Sequence, residues 1–436
     1  MLMTTINNRI KSFIIILLCI FSTCMFAQVE NDATENDNQD NYAEADSLQS
    51  DSLQCDSIPP LPWPESLQAN LDSIIQKSVI FRSSQLGLMV YDLTADSVLY
   101  EHNAKQTMRP ASTMKLLTAI TALDKLGDAY LFKTRLTYTG TIKDSTLIGD
   151  IYCIGGMDPK LGNDDLKSFA ISIREAGIDT IRGNFYADRS MKDDKMFGEG
   201  WCWDDKNPVL SPLAYTRKDI LMDKLREALR EAGVVIDDST ALAGAEFPIA
   251  KTSPAGAITL CERTHTMEQI LHTMMKDSNN MYAECLLYQI GLTQGKPSTA
   301  KKARAVEEAL LRKIGMGSVP HRFADGSGLS LYNYVSAEME VAFLKYAYNN
   351  SNIFTHLYTS LPIAGIDGTL EKRMNKSAAE GNVHAKTGTL SGISSLAGYC
   401  TASNDHKLCF AIINQGIMHN SGAKNFQDKV CIAMCK

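Results

Sequence analysis

The folded part of this sequence has strand-like segments at both ends and helical segments between them. Alternating residues from Gln85 to Leu93 and from Ser97 to Glu101 are typical of a β-hairpin. Three further strands are predicted near the C terminus, at Val383 to Thr389, Ser394 to Thr401 and Leu408 to Asn414. Because the segments between are mostly helical, we predict an α+β fold in which both ends of the chain share one antiparallel sheet. The predicted helices include Asn70 to Lys77, Ile220 to Gly233, Met267 to Gly291 and Ala423 to Met434.

A segment of different composition interrupts this pattern. From Lys133 to Asp188 the chain is rich in Gly, Thr and Asp, with short strand-like runs and one amphipathic helix around Leu166 to Gly177. We therefore expect a small inserted α+β domain at 134–252 and a main domain composed of 63–133 and 253–436. A chain of 436 residues with 44% hydrophobic residues can bury cores of this size.

The first 62 residues are expected to precede the folded part. Two basic residues come before an apolar run from Phe13 to Phe21, as in a secretory signal peptide, and we predict residues 1–27 to be removed by cleavage near Ala27. A retained membrane anchor and lipidation at Cys24 are the alternatives. The apolar run is shorter than the roughly 20 residues that span a bilayer, so we expect no stable membrane span after cleavage.

The segment that follows the signal, 28–62, is strongly acidic. It holds nine acidic residues and no Lys or Arg, which predicts a disordered linker. Without Arg9 and Lys11 of the signal, the net charge changes from −7 to −9, and the linker accounts for all of it. The body from Trp63 is therefore near neutral and lacks the basic excess of a nucleic-acid-binding protein.

Cysteine and histidine usage argues against metal and disulfide frameworks. Nine of the eleven cysteines lie outside the signal, without CxxC pairs, and the eight histidines form no HExxH motif. This pattern favours free, mostly buried thiols. We predict no metal site and no cofactor.

The stretch PASTMKLLT at 110–118 places a lysine one helical turn after a serine. It opens a long apolar helix that we predict from Ser112 to Leu126, ending at Gly127. Residues three apart on a helix are neighbours, so Lys115 can reach the Ser112 hydroxyl. A serine needs a base to attack a carbonyl, and burial can make a lysine that base because burial penalises the ammonium form.

The same spacing occurs twice more, at Ser298 and Lys301 and at Ser421 and Lys424. We interpret Ser298 as the N-cap of a charged helix and place Ser421 in a loop. Neither lysine is followed by an apolar run. Only Ser112 leads into a helix that is predicted to be buried.

Two further motifs increase the weight of the first. KDSNNMYAE, which we place at a loop or helix start, contains Ser278, a hydroxyl that can pass a proton to a leaving nitrogen, and Asn280, an amide that can hold a substrate carbonyl. HAKTGTLSG contains Lys386 on a strand whose Gly388 lets a ligand lie close to the backbone. A helix cap and a strand-edge lysine are the ordinary alternatives. The occurrence of all three motifs in this order favours a catalytic site.

The set SxxK, SxN and KTG occurs in penicillin-binding proteins and class A β-lactamases. From about Leu86 to Gly416 the chain resembles the penicillin-binding protein 4 family of D-alanyl-D-alanine carboxypeptidases, also called peptidase family S13. The further stretches that carry the resemblance are GWCWDD (200–205), ADGSGLSLYNYVS (324–336), LPIAGIDGTLEKR (361–373) and AKTGTLSGISSLAGY (385–399). The resemblance implies a penicillin-binding-protein/β-lactamase-like serine transpeptidase fold, an antiparallel sheet flanked by helices, in a periplasmic enzyme.

The resemblance also implies roles for the motif residues. Ser112 would form an acyl-enzyme with a peptidoglycan stem peptide, with Lys115 as its general base and Asn280 orienting the substrate. Ser278 and Lys386 would relay the proton to the leaving amine. The leaving group would be the terminal D-alanine in a carboxypeptidase and a cross-linked neighbour in an endopeptidase, and β-lactam antibiotics would act as covalent inhibitors.

The substrate-binding residues implied by the resemblance are Thr387, Gly388, Thr389 and Asp188. The backbone N–H groups of Ser112 and Thr389 would form an oxyanion hole, and Asp188, in GNFYADRS, would meet the amine of the diamino acid. Lys115 and Lys386 would lower each other's pKa because both are cations.

The sequence departs from the family at two places. Asn279 stands where Asp is common, and GWCWDD passes quickly into the helix at Ile220, so we expect a third domain to be missing or reduced. A β-lactamase is the main alternative, although no stretch resembles the glutamate loop that would supply its deacylating base. A non-catalytic peptidoglycan-binding protein and an esterase for another acyl group are further alternatives, and intact motif residues argue against the former.

Overall fold

The computed structural model describes residues 61–203, 206–237 and 249–436. The predicted signal peptide and almost all of the acidic linker lie outside the described residues. No helix in the part described is both long and apolar enough to cross a membrane.

The described residues form fourteen strands and ten α-helices. The strands are β1 Gln85–Asp92, β2 Ser97–His102, β3 Leu131–Tyr138, β4 Thr141–Lys143, β5 Thr146–Ile148, β6 Ile151–Ile154, β7 Thr180–Arg182, β8 Phe185–Asp188, β9 Val235–Ile236, β10 Ile249–Ala250, β11 Ile258–Thr266, β12 His384–Leu390, β13 Ile393–Thr401 and β14 Lys407–Gln415. The helices are α1 Glu65–Lys77, α2 Met114–Leu126, α3 Asn163–Glu175, α4 Leu221–Glu231, α5 Met267–Lys276, α6 Asn280–Leu292, α7 Ala300–Lys313, α8 Ala337–Tyr348, α9 Ser351–Ser360 and α10 Asn420–Met434.

The antiparallel sheet predicted from the two ends of the chain is confirmed. Its strands lie in the order β12-β13-β14-β1-β2, so β1 pairs with β14 along its whole length. Strands β1, β13 and β14 are buried almost throughout, which explains their long apolar runs.

Both faces of this sheet are covered by helices. Leu88 and Val90 of β1 pack on one face with side chains of α1 and α10. Met89 and Tyr91, which point the other way, pack with α2, α6 and α8 in a second core. The α+β architecture predicted from the sequence is therefore present, with helix α2 as a central element of the larger core.

Residues 131–266 add two smaller sheets and a core of their own. One has the strand order β10-β8-β6-β3-β11 and the other β4-β5-β7-β9, with α3 and α4 packed in the shared core. Strand β11 lies beyond the expected limits 134–252 of the inserted domain, yet it pairs with β3 along its length. The division into two domains stays a prediction, and the described residues pack as one compact unit.

The helical segment predicted from Met267 to Gly291 consists of two helices, and the break lies at the Ser278 motif, which was expected at a loop or helix start. Helix α5 ends at Lys276, α6 begins at Asn280, and Ser278 between them has a left-handed φ of 55°. The break is fixed by Asn279, whose Oδ1 accepts the N–H groups of Met281 and Tyr282 as an N-cap. The apolar residues on either side do not indicate the exact position of this break.

Three smaller expectations have mixed outcomes. The N-cap of α7 is Thr299, one residue after the predicted Ser298. Ser421 lies in the first turn of α10 and not in a loop. The expectation of free thiols agrees with the eight described cysteines, all of which are free and six of which are buried.

Candidate active site

Ser112 lies in a single 3-10 turn, Ala111–Thr113, directly before α2. Ala111 has a left-handed φ of 49°, a conformation that costs a residue with a Cβ about 1 to 2 kcal/mol. Thr113 stabilises the turn from its buried side. Its hydroxyl donates to the carbonyl of Pro110 and lies against the buried carboxyl of Glu340. Ser112 itself is half-buried, at the point where the buried helix begins.

Lys115 lies one turn further along α2, with no exposed surface. Its Nζ is 3.0 Å from Ser112 Oγ, 2.7 Å from Asn280 Oδ1 and 2.7 Å from the carbonyl oxygen of Ser327. Burial lowers the pKa of Lys115 to about 7, although the nearby carboxyls of Asp325 and Glu284 act to raise it. A substantial fraction of this lysine is therefore a neutral amine near neutral pH, next to a serine hydroxyl.

Lys386 of β12 is the second fully buried lysine of the site. Its Nζ donates to Ser278 Oγ at 2.8 Å and to the carbonyl of Thr387 at 2.7 Å. Burial, and then the charge of Lys115, hold the pKa of Lys386 well below its ordinary value. The predicted mutual effect of the two lysines is therefore found on Lys386, whereas burial is what lowers the pKa of Lys115.

Strand β12 passes very close to the Ser112 turn at Gly388. A Cβ built on this glycine would lie 2.9 Å from the backbone nitrogen of Ser112, 2.7 Å from the carbonyl oxygen of Pro110 and 2.0 Å from Ser395 Oγ. Only glycine leaves room for this approach. Thr389, the next residue, is exposed, so the strand continues past Ser112 with its next side chain in solvent.

The second motif reaches the site because of the break between α5 and α6. Asn279 provides the N-cap of α6, which leaves the Ser278 hydroxyl free of that task and in contact with Lys386. Asn280, the first residue of α6, accepts from Lys115. The structure thus places the five motif residues in two neighbouring groups. In one, Lys115 contacts Ser112 and Asn280. In the other, Lys386 contacts Ser278 and feels the charge of Lys115.

Asp188 has a different position. It is the last residue of β8 and is buried, and its carboxylate oxygens accept the backbone N–H groups of Ser190 and Ser253 at 2.9 and 2.8 Å. Both oxygens are therefore engaged in local contacts. Its assignment to the substrate amine stays a prediction.

Sequence reasoning missed several residues around the site. The carbonyl of Ser327 on Lys115, the carboxyls of Glu284 and Asp325, and the Thr369 hydroxyl that accepts from Thr387 at 2.7 Å were not predicted individually. The stretches that contain Asp325 and Thr369 carry the family resemblance, which assigns no role to either residue. Glu284 had a usable signal, because it is a carboxyl in the otherwise apolar run of α6.

A sequence model of the D-Ala-D-Ala carboxypeptidase 3 (S13) family matches residues 67–216 and 213–434. The chain belongs to this family. D-alanyl-D-alanine carboxypeptidase of Actinomadura sp. (strain R39) is similar to it, with 28% identity over 440 residues that cover 80% of this chain and 81% of the relative.

Solved structures agree with the S13 assignment at the level of the fold. The crystal structure of penicillin binding protein 4 from Haemophilus influenzae matches with a TM-score of 0.74 and 22% identity, over 83% of this chain and 98% of that chain. A penicillin G-acylated predatory endopeptidase from Bdellovibrio bacteriovorus matches with a TM-score of 0.50 and 16% identity, over 79% and 91%. The predicted family and fold are confirmed.

Proposed function

We propose that this S13 protein is an active serine D-alanyl-D-alanine carboxypeptidase that forms an acyl-enzyme on Ser112. The observation that carries the proposal is the contact between the Ser112 hydroxyl and the amine of Lys115, a fully buried lysine whose pKa burial lowers to about 7. A neutral amine at this distance can accept the serine proton as the oxygen attacks a carbonyl.

The acylation step assigns one task to each part of the site. Ser112 Oγ bonds to the carbonyl carbon of the penultimate D-alanine while its proton passes to Lys115. The Ser278 hydroxyl gives a proton to the departing amine of the terminal D-alanine, and Lys386, which contacts Ser278, restores that proton. Water then hydrolyses the ester, which releases the shortened peptide as a carboxylate and regenerates Ser112. Lys115 gives up the proton that it took and Lys386 regains the one that it lost, so both lysines return to their starting states.

Two further groups would bind the substrate. The close approach of Gly388 to the Ser112 nitrogen supports an oxyanion hole made of the N–H groups of Ser112 and Thr389, in which each donor contributes about 3 to 4 kcal/mol to the transition state. Thr387 and Thr389, beside Lys386, would hold the terminal carboxylate. Asp188 is proposed for the substrate amine on the family resemblance alone.

The nature of the leaving group separates two activities of one acyl-enzyme. A terminal D-alanine gives carboxypeptidase action, and the amine of a cross-linked peptide gives endopeptidase action. Incubation with purified cross-linked muropeptides, followed by chromatography, measures both products in one experiment. The cell-wall substrate and the signal-like N terminus support a periplasmic location, reached by secretion across the inner membrane.

Labelling with fluorescent penicillin tests the site. We expect the purified protein to be labelled and Ser112→Ala to remain unlabelled. Equal labelling of both proteins would refute the assignment. Long-lived labelling is expected for a peptidase, whereas rapid turnover of a chromogenic cephalosporin would favour a β-lactamase.

A further inference from the structure

A buried carboxyl group outside the proposed proton pathway is connected to Lys115 through a single residue. Glu284 lies on α6, one helical turn after Asn280, and is 1% exposed. Its Oε1 accepts the backbone N–H groups of Gly326 at 3.1 Å and Ser327 at 2.8 Å. The carbonyl of the same Ser327 accepts from Lys115 Nζ at 2.7 Å.

Asp325 stabilises the turn that contains Ser327 from within. One oxygen of this buried carboxylate accepts from the backbone N–H of Gly328 and the other from that of Ser330, at 2.8 and 2.7 Å. Asp325 therefore shapes the turn internally. Glu284 ties the turn to the helix that also supplies Asn280.

The hydrogen-bonding capacity of an amine shows why this tie matters. A neutral lysine has two N–H donors and one lone pair. The Ser327 carbonyl and Asn280 Oδ1 can only accept, so together they take both N–H groups. The lone pair then points to the third neighbour, the Ser112 hydroxyl at 3.0 Å.

We infer that Glu284 is a positioning residue for the catalytic base: it holds the Ser327 peptide so that the Lys115 lone pair is directed at Ser112. This inference rests on the proposed function, in which Lys115 is the base. If the Ser327 carbonyl moves, the amine of Lys115 can rotate about its last bond and offer an N–H to Ser112 in place of the lone pair.

Glu284 also acts on Lys115 electrostatically, and its own pKa decides how strongly. The charged groups that act on Lys115 or are acted on by it are Glu284 of α6, Asp325 of the turn and Lys386 of β12. The two carboxyls raise the pKa of Lys115, while burial raises the pKa of Glu284 itself to about 8. Near pH 7, where Lys115 changes its charge, most of Glu284 is therefore protonated, so Glu284→Gln should leave the pH midpoint of Lys115 almost unchanged.

Two substitutions separate position from charge. Glu284→Gln keeps a carbonyl oxygen that can accept both backbone N–H groups, so we expect a maximal acylation rate close to that of the unaltered protein. The rate of Glu284→Gln should rise with pH at a midpoint close to that of the unaltered protein. Glu284→Ala removes the tie, and we expect the maximal rate to fall by about 100-fold. The measurement is the second-order rate constant of labelling by fluorescent penicillin as a function of pH.

Asp92→Ala is the matched control for a purely structural effect. Asp92 is also buried, and it also accepts two backbone N–H groups, from Thr94 and Ala95 at the end of β1. We expect a lower melting temperature for this variant, with the rate constant of the folded fraction and its pH midpoint unchanged.

The outcomes distinguish this inference from the proposed function. An unchanged maximal rate in folded Glu284→Ala overturns the positioning role, and so does a mere loss of labelled fraction at an unchanged rate constant. If Glu284→Ala fails to fold, Glu284→Met is measured in its place, because it fills the site but cannot accept the two backbone N–H groups, and an unchanged maximal rate in that variant overturns the inference. Failure of the proposed function would instead appear as normal labelling of Ser112→Ala.

Discussion

Of the three regions that carry the Ser-x-x-Lys spacing near the start of a helix, the two at α2 and α7 have completely different surroundings. At the start of α2, Lys115 is buried and contacts Ser112 and two further acceptors within 3.0 Å. At the start of α7, the Ser298 hydroxyl donates to the carbonyl of Tyr288 at 2.6 Å, and Lys301 is exposed. Spacing alone therefore does not create a nucleophile and base.

The difference originates in the burial of the two helices. Helix α2 is buried from Met114 to Leu123, so its lysine loses hydration and must find partners inside the protein. Helix α7 has the sequence AKKARAVEEALLRK, with a charged face on which Lys301 stays in water. A lysine becomes a base where the fold removes solvent and supplies acceptors in place of a carboxylate partner.

The largest expected effect comes from replacing the lysine of each region by alanine. Lys115→Ala should lower the rate of penicillin acylation by about 1,000-fold, since a positioned general base contributes about 100- to 10,000-fold. Lys301→Ala should leave this rate unchanged, because its side chain lies in solvent. Stopped-flow or gel-based labelling measures both. Similar losses in the two variants would remove the distinction between the regions.

The approach of β12 to the Ser112 turn predicts the second effect. Gly388→Ala places a Cβ within 3 Å of the Pro110 carbonyl and the Ser112 nitrogen, so either the strand or the nucleophile must move. We expect acylation to slow by about 100-fold, as for a displacement of about 1 Å at a reacting group. Gly256→Ala is the control, because nothing lies within 4 Å of its Cβ position. Equal rates for both variants would show that β12 does not define the site.

The sequence predicts the elements of this comparison better than their contacts. The sheet formed by both ends of the chain follows from apolar and alternating runs. The three motifs supply Lys115 and Lys386 as well as the side chains that contact them, which are those of Ser112, Asn280 and Ser278. The Ser327 carbonyl on Lys115 was not predictable, because a backbone acceptor carries no side-chain signal. Its position depends on how Glu284 and Asp325 hold a turn that is distant in sequence.

The exact geometry of the break between α5 and α6 was not predictable for a similar reason. Both flanks are apolar and helix-forming, so periodicity favours one continuous helix. The decision is made locally by Asn279, which caps α6 and leaves Ser278 in a left-handed conformation. A capping side chain in an apolar context is a weak signal until the chain is folded.

The buried carboxyl of Glu340, which contacts Thr113 in the Ser112 turn, predicts a pH-dependent effect on stability. Burial raises the pKa of Glu340 from an ordinary 4.5 to about 8, with its Thr113 contact opposing the shift. The folded protein therefore binds this proton more tightly than the unfolded chain, and the resulting stability is complete below 4.5 and is lost as the pH rises through about 8. Glu340→Gln does not titrate.

We expect Glu340→Gln to gain stability relative to the unaltered protein as the pH rises through this window, by on the order of a few kcal/mol. Urea unfolding at both ends of the window measures the difference. Glu338→Gln, in the same helix and half-buried, is the matched control for removal of a carboxyl from α8. A constant difference between Glu340→Gln and the unaltered protein across the window would contradict the prediction.

The smallest expected effect belongs to the capped helix start. Thr299 accepts the backbone N–H of Lys302 at 3.1 Å, so Thr299→Ala should lower stability by about 1 kcal/mol without changing acylation. Helix α2 has no such side-chain cap, because the Thr113 hydroxyl donates to the Pro110 carbonyl and does not accept from the first turn. The first N–H groups of α2 are therefore not occupied by a side-chain cap. A negative charge would develop close to them during acylation, and uncapped N–H groups at a helix N terminus stabilise such a charge. Thermal unfolding and penicillin labelling of Thr299→Ala test this contrast, and a slower acylation in that variant would contradict it.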